Sequence, residues 1–231
     1  MYEQLKRDVC DANIELQRQE LVVYSFGNVS GIDRSGDDPV VAIKPSGVPY
    51  RELVPEKIVL VDLQGNVIEG DLRPSSDTPT HLELYRSFAD VGGICHTHSA
   101  NATMWAQACL EIPCFGTTHA DYFYGAVPVT KQLSDKDIKG DYESNVGRSI
   151  VERFAGIKPL EIPAVLVACH GPFSWGISPG KAVEVAVLLE QIAAIGTGTI
   201  IINPAQRAIS QSLLNKHYLR KHGDSAYYGQ G

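Results

Sequence analysis

The chain has 231 residues, of which 44% are hydrophobic and 20% charged, with five cysteines and a formal net charge of -7. This composition predicts one domain with a full hydrophobic core over residues 1–231, and the acidic balance argues against a nucleic-acid partner. The sequence shows no apolar run near the length of a membrane span, no apolar signal-peptide core and no disulfide framework, so we expect a cytoplasmic protein without a membrane partner.

The spacing of apolar residues in the N-terminal part of the chain predicts one helix followed by strands. Apolar residues recur along one stripe of residues 2–18, which is typical of an amphipathic helix. Residues 22–31 and 40–50 are strand-like, and residues 57–70 hold two apolar runs around a Gln-Gly-Asn turn, which is the pattern of a β-hairpin. We expect the chain to turn at Gly27, Asn28 and Gly31, and again at Pro45 and Gly47.

The rest of the chain mixes helices with short buried strands. Pro79 fits the first position of a helix over residues 73–88, since Ser, Asp and Thr precede it. The run from Gly92 that carries His96, and residues 163–170, predict two core strands. We further expect helices at 100–109, 141–154, 179–196 and 204–221 and a short strand at 125–130. The hairpin favours an α/β, single-domain fold with a central, largely antiparallel β-sheet flanked by helices on both faces.

Three histidines fall at the ends of these two core strands. Residues two apart in a strand point to the same face, so His96 and His98 are expected side by side, and His170 ends the second strand. Three protein ligands with one open position is the arrangement of catalytic zinc sites. The alternative is a pair of hydrogen-bonded core histidines and a strand cap. We interpret the neighbouring Cys95 and Cys169 as buried small apolar residues that point away from the histidines.

A turn with the sequence "KPSG" carries residue types that bind anions. Lys44 supplies charge, Ser46 supplies a hydroxyl, and Gly47 lets backbone approach an anion closely. The alternative is an ordinary Pro-Ser-Gly turn.

A second turn of the same character precedes the helix at Pro79. Ser75 and Ser76, with the free amide groups of the helix start, are suited to a phosphate. The alternative is that these serines and Asp77 are helix caps. Together with Asn28 in "GNVS", the two turns indicate a phosphorylated small molecule.

The loop "GTTHADYFYG" combines hydroxylic, acidic and aromatic residues. Asp121 is a candidate general base, with His119 as a residue that orients it. The alternative is a polar loop with aromatic residues tucked beneath it.

The last predicted helix and the chain end supply further polar and aromatic groups. Lys216 and Arg220 lie one helical turn apart with His217 beside them, so one face is suited to a phosphate. The alternative is a solvated basic face. Tyr227 and Tyr228 make the tail aromatic, which suggests docking onto its own domain or a neighbour.

Five motifs together resemble the epimerases of the class II aldolase/adducin-like family: "SSDTPTH", "HTHS", "TTHADYFYG", "HGPFSWG" and "KHYLRKHG" with "AYYGQ". Each motif alone is weak, but the set in this order and spacing is specific. The resemblance implies an isomerase that inverts C4 of L-ribulose 5-phosphate to give D-xylulose 5-phosphate, by retro-aldol cleavage of the C3–C4 bond, rotation of the aldehyde and re-addition. It also implies a homotetrameric ring with active sites at the subunit interfaces. An epimerase of this type serves arabinose or ascorbate degradation.

The resemblance also implies roles for individual residues. The implied metal site consists of His96, His98 and His170 with Asp77 beside the metal, which is Zn²⁺ or, alternatively, Mn²⁺ or Co²⁺. The implied acid/base pair is Asp121 and Tyr228. The implied substrate-binding residues are Gly27, Asn28, Lys44, Ser46, Gly47, Ser75, Ser76, Thr117, Glu143, His217 and Arg220.

Two other functions are alternatives. Aldolases of the fuculose or rhamnulose 1-phosphate type share the histidines, but they carry Glu where this chain has Asp77 and lack the "ADYFYG" and "YYGQ" motifs. A non-enzymatic module like the adducin head lacks the metal histidines, so the three histidines of this chain argue against it.

Overall fold

The computed structural model describes residues 2–223, 226 and 227, and its centre is a seven-stranded sheet. The spatial order is β4-β3-β2-β1-β5-β7-β6, and each neighbouring pair is antiparallel. The strands are β1 Asn28–Asp33, β2 Val40–Ile43, β3 Val59–Asp62, β4 Val67–Glu69, β5 Gly93–His96, β6 Ala164–Leu166 and β7 Pro172–Gly176.

Helices cover both faces of this sheet, which confirms the predicted α/β architecture. One face packs against α2 and α6, and the other against α1 and α7. The helices are α1 Glu3–Arg18, α2 Thr78–Ser87, α3 Ala100–Gln107, α4 Thr117–Ala120, α5 Asp135–Lys139, α6 Tyr142–Arg153, α7 Pro179–Ile202 and α8 Gln211–His222, with 3-10 turns at Tyr50–Glu52 and Pro55–Lys57.

The two faces follow from the alternation of side chains along each strand. In β5, Ile94 packs with Trp175 in the core beneath α2 and α6, whereas Cys95 packs with Val29 beneath α1 and α7. Since successive strand residues point to opposite faces, a strand that is apolar at every position is buried on both sides. Cys95 is therefore the small buried residue that the sequence predicts.

A row of glycines lets α7 approach the sheet closely. Gly31, Gly93 and Gly176 pair with one another across β1, β5 and β7. A Cβ atom on Gly93 would lie 2.4 Å from the backbone of Ser178 and Pro179, and one on Gly31 would lie 2.7 Å from the Pro179 ring. The predicted turn at Gly31 is therefore wrong: this glycine lies inside β1 and is required for close packing.

Several predicted boundaries differ from the structure. Residues 22–27 are irregular, and β1 begins at Asn28, where a turn was expected. The segment 163–176 is a hairpin of β6 and β7, so His170 lies in the turn between them. Residues 125–130 form only isolated bridges at Val127 and Val129. Cys169 also lies in the β6–β7 turn and is exposed, so its predicted burial is wrong.

Helix α7 departs from the expectation that the chain has no stretch long and apolar enough for a membrane span. The helix has 24 residues, and an 18-residue window within it has a mean hydropathy of 1.9, so α7 passes that test by length and composition alone. In this fold, however, Ala182, Val183 and Ala186 pack against the sheet and α1. Only 28% of that window is buried, and Ile195, Ile201 and Ile202 are exposed, so contact with the sheet accounts for the apolar residues of the first part of α7 alone.

Candidate active site

The antiparallel pairing of β5 and β7 brings the three predicted histidines together. His96 is the last residue of β5 and pairs with Phe173 near the start of β7, just after the turn that holds His170. The ring centroids of His96, His98 and His170 are 4.9–5.0 Å apart, and their candidate ligand atoms lie within 4.8 Å of one another. The Nε2 atoms of His96 and His98 are 3.1 Å apart.

Backbone and aromatic contacts fix the orientation of His96. Its Nδ1 lies 2.9 Å from the Pro172 carbonyl oxygen, which can only accept, so Nδ1 carries the proton and Nε2 keeps its lone pair. The Phe173 ring stacks on the imidazole with centroids 4.2 Å apart. At His170, the Tyr142 hydroxyl lies 3.4 Å from Nδ1. Such contacts hold a histidine in the orientation that a metal ligand needs.

The protonation state of the triad also suits a metal. Burial lowers the pKa of His96 to about 3, and it lowers the pKa values of the exposed His98 and the half-buried His170. Neutral imidazole is the form that coordinates metal ions. The donor set therefore fits a divalent cation with three nitrogen ligands.

Asp77 places a carboxylate beside the histidine triad. It occupies the position before α2, but its side chain makes no capping bond to the helix. Instead, the Asn28 amide donates to its Oδ2 at 2.6 Å and to the Ser75 hydroxyl at 3.1 Å. Burial opposes ionisation, yet His96, His81 and this amide together keep the pKa of Asp77 below its usual value. The Asn28 Oδ1 is buried and finds no protein partner within the described residues.

A backbone bridge joins the two anion-prone turns. Ser46 N–H donates to the Arg73 carbonyl, and Ser75 N–H donates to the Lys44 carbonyl, around a bridge between Pro45 and Pro74. These two amides are therefore not free for a ligand. Gly47 has φ +70° and its Cβ direction is open, so this side of the turn is accessible. Ser46, Gly47 and Ser76 are exposed.

Lys44 is buried beneath these turns. It is 2% exposed, and its Nζ lies 3.4 Å from each of the Ser25 and Pro45 carbonyl oxygens and 4.9 Å from the centre of the Tyr50 ring. Burial lowers the pKa of Lys44 to about 8, and nearby Asp77 opposes that effect. A buried ammonium with two long carbonyl contacts is suited to an anionic ligand.

The triad and both turns open into one cavity of about 400 Å³. Phe26 and Pro45 complete its wall with Ser25. Eleven of the residues that the sequence singles out line it: Gly27, Asn28, Lys44, Ser46, Gly47, Ser75, Ser76, Asp77, His96, His98 and His170.

A second polar cluster forms around Asp121, at the end of α4. Arg220 donates to both carboxylate oxygens at 3.0 Å, and His217 Nδ1 lies 3.0 Å from Oδ1. Lys221 Nζ is 3.5 Å from Oδ2. Burial raises the pKa of Asp121, but these neighbours outweigh it and the net pKa is lowered. No member of this cluster lines the cavity of the triad.

None of the remaining predicted residues that the structure describes lines the cavity of the triad. Thr117 begins α4, and Glu143 follows Tyr142 at the start of α6, where its carbonyl accepts from Thr80. His119 is buried and its Nε2 donates to the Gly125 carbonyl at 2.8 Å. Within the described residues its ring makes no hydrogen bond to Asp121, so the prediction that it orients Asp121 is wrong. Tyr228 lies outside the described residues. Tyr227 N–H donates to the Arg220 carbonyl at 3.0 Å, which places this part of the tail beside α8.

Three side chains that were not predicted from the sequence also support the site: His81, Tyr142 and Tyr50. His81 is fully buried, its Nδ1 lies 2.7 Å from the Ser30 hydroxyl, and its Nε2 has no partner within the described chain. Its position one helical turn after Asp77 is the signal that was available. Tyr142 and Tyr50 lie far from the triad along the chain, so no local pattern indicates their roles.

Comparison with known proteins gives one family. Residues 7–197 match the model of the Class II Aldolase and Adducin N-terminal domain. A solved L-fuculose 1-phosphate aldolase is similar with a TM-score of 0.77 at 23% identity, covering 93% of this chain and 94% of that one. YgbL from Klebsiella pneumoniae is similar with a TM-score of 0.73 at 26% identity, covering 94% and 99%. The L-fuculose-1-phosphate aldolase of Thermus thermophilus has a TM-score of 0.69 at 23% identity, covering 89% and 100%.

Proposed function

The chain belongs to the Class II Aldolase and Adducin N-terminal domain family, and from that premise we propose that it is an L-ribulose-5-phosphate 4-epimerase. This enzyme interconverts L-ribulose 5-phosphate and D-xylulose 5-phosphate by breaking and re-forming the C3–C4 bond. One observation carries the proposal: three neutral histidines share a cavity with Asp77 and with two turns rich in hydroxyl groups. Its unpaired cysteines favour a cytoplasmic enzyme.

His96, His98 and His170 would hold the divalent cation, which we assign as Zn²⁺. When bound, the cation supplies positive charge to the substrate oxygens on which negative charge develops. Asp77 stays ionised beside the triad, and Asn28 holds it there through the 2.6 Å bond. The buried Asn28 Oδ1 lacks a partner within the described residues, so we propose it as an acceptor for a substrate hydroxyl.

The two turns and Lys44 bind the substrate phosphate. The hydroxyls of Ser46 and Ser76 and the open side of Gly47 give directional contacts, while Lys44 adds a charge. No residue is required to form a covalent adduct, so Lys44 needs only to be charged.

Inversion at C4 requires proton transfer on both faces of the aldehyde, and we assign it to Asp121 and Tyr228. Asp121 lies outside the cavity of its own chain, which supports our proposal that a second subunit of a homotetrameric ring completes the site. Two exposed aromatic side chains support a subunit interface beside the cavity. Tyr24 is 88% and Phe26 is 61% exposed, and Phe26 lines the cavity. Thr117, Glu143, His217 and Arg220 position these groups and the substrate.

A product assay tests the proposal. The purified protein, loaded with Zn²⁺, is incubated separately with L-ribulose 5-phosphate, L-fuculose 1-phosphate and L-rhamnulose 1-phosphate. We expect D-xylulose 5-phosphate from the first sugar and no dihydroxyacetone phosphate from the other two. Release of dihydroxyacetone phosphate would instead identify a sugar-phosphate aldolase, which the aspartate at position 77 disfavours.

A further inference from the structure

Two cysteines meet beside the metal centre in an arrangement that the proposed reaction does not use. Cys109 follows the end of α3, and Cys169 lies in the β6–β7 turn, yet their Sγ atoms are 3.5 Å apart. Cys169 is exposed and Cys109 is half-buried, whereas Cys10, Cys95 and Cys114 are buried. Only this pair combines contact with access to solvent among the cysteines of the chain.

A shared backbone acceptor holds the two residues side by side. The Ala106 carbonyl accepts from Cys109 N–H at 3.1 Å and from Cys169 N–H at 2.9 Å. Together with the hydrogen bond from Leu110 N–H to the Trp105 carbonyl, the Cys109 bond forms a Schellman motif at the C-terminal end of α3. The residue with left-handed backbone conformation in this motif is usually glycine. Here that residue is Cys109 with φ 55°, and Cys169 has φ 61°. Both cysteines occupy a conformation that disfavours residues with a Cβ atom.

One sulfur is also activated by a neighbour. The Gln132 side-chain amide donates to Cys109 Sγ at 3.2 Å. This bond, together with the thiol of Cys169, lowers the pKa of Cys109. The thiolate is the nucleophilic form of cysteine, so Cys109 is suited to attack and Cys169 to resolve.

We propose that Cys109 and Cys169 form a redox-active dithiol, which hydrogen peroxide oxidises to an intramolecular disulfide. The Cys109 thiolate attacks one peroxide oxygen, the O–O bond breaks, and a sulfenic acid and one water form after proton uptake. Cys169 then attacks the sulfenic sulfur, the S–O bond breaks, and the second water leaves. Two thiols and one hydrogen peroxide thus give one disulfide and two waters.

The disulfide acts on the metal centre through His170. Cys169 directly precedes this histidine in the turn. Bond formation must bring the sulfur atoms from 3.5 Å to about 2.0 Å, so the turn or the end of α3 has to move. We expect the oxidised protein to release its metal faster. This consequence rests on the proposed function, whereas the thiol chemistry does not.

Peptide mapping tests the dithiol. The Zn²⁺-loaded protein is treated with hydrogen peroxide, alkylated after unfolding and digested without reductant. We expect one Cys109–Cys169 cross-linked peptide, three alkylated cysteines per chain, and full reversal by dithiothreitol. Sulfinic acid at Cys109 without the cross-link, or an intermolecular disulfide, would overturn the proposal.

Single variants identify the roles of the residues. Cys109→Ser and Cys169→Ser should each abolish the cross-link. Gln132→Ala should slow its formation by about threefold or more, because the thiolate loses its donor. Gln107→Ala is the matched control, since this exposed glutamine contacts Cys109 only through its backbone carbonyl. Equal rates for Gln132→Ala and the parent would remove Gln132 from the mechanism.

Metal release separates the two parts of the proposal. The rate of Zn²⁺ transfer to a chromogenic chelator is compared for reduced and oxidised protein, with oxidised Cys169→Ser as the control. We expect faster transfer only where the cross-link forms. A cross-linked protein that releases Zn²⁺ at the reduced rate would overturn the link to His170 and leave both the dithiol and the epimerase proposal standing.

Discussion

His98 is the exposed member of the histidine triad, which makes it the cleanest single position at which to test metal binding. Its ring lies 4.9 Å from that of His96, and its substitution leaves the buried core untouched. We predict that His98→Asn keeps the fold but loses most of its metal and at least ~100-fold in activity, because two ligands remain.

Elemental analysis of the purified variant checks this prediction, with circular dichroism as the test of folding. His222→Asn is the matched control, since His222 is exposed and contacts the Asp121 carbonyl. Metal content in His98→Asn equal to that of the parent would show that the triad is not the binding site.

Loss of the proton from Lys44 should set the alkaline limb of the pH profile of kcat/KM. Burial lowers its pKa from 10.5 to about 8, so the ammonium is present below that pH and is lost as the pH rises through it. In the proposed site the charged form binds the substrate phosphate, so kcat/KM for L-ribulose 5-phosphate should fall by about tenfold per pH unit above the limb.

Unphosphorylated L-ribulose serves as the control, because it has no phosphate for Lys44 to bind. Its kcat/KM should be low and should lack this limb, and Lys44→Met should remove the limb for the phosphorylated sugar. The same alkaline limb with both sugars would assign it to another group.

At the scale of elements, the glycine row beneath α7 is a steric requirement. We predict that Gly93→Ala destabilises the protein by about 3 kcal/mol, because the new methyl group meets the Ser178 and Pro179 backbone at 2.4 Å. Thermal unfolding should then shift downward by roughly 6–12 °C. Gly180→Ala is the control: nothing lies within 4 Å of its Cβ direction, so its melting temperature should stay the same or rise. Equal melting temperatures for the two variants would contradict this packing.

The secondary-structure elements also show which parts of the site can be predicted from the sequence alone. The His-x-His pattern at the end of an apolar run predicts correctly that His96 and His98 converge. His170 was assigned to a strand end and lies in a turn instead, but antiparallel pairing still delivers it to the same place. Tyr142 and Cys109 meet the His170 turn only through tertiary packing, across separations of 28 and 60 residues along the chain. The local spacing of apolar residues along the chain does not predict such contacts.

At the scale of the whole molecule, the separation of Asp121 from the cavity predicts complementation between subunits. His98→Asn and Asp121→Asn should each be inactive alone. After joint unfolding and refolding, roughly a quarter of the interfaces in a head-to-tail ring should pair an intact triad with an intact Asp121, and activity should return in that proportion. Mixed tetramers confirmed by mass spectrometry that remain inactive would place both groups in one subunit.

Metal titration of epimerase activity tests the central claim most directly, namely that the three histidines hold the ion on which the reaction depends. Metal-free protein is prepared with a chelator, and Zn²⁺ is added back while conversion of L-ribulose 5-phosphate to D-xylulose 5-phosphate is followed. We predict that activity rises linearly to one Zn²⁺ per chain and then stays constant, and that His98→Asn shows no such rise. Full activity in the metal-free protein would contradict the account.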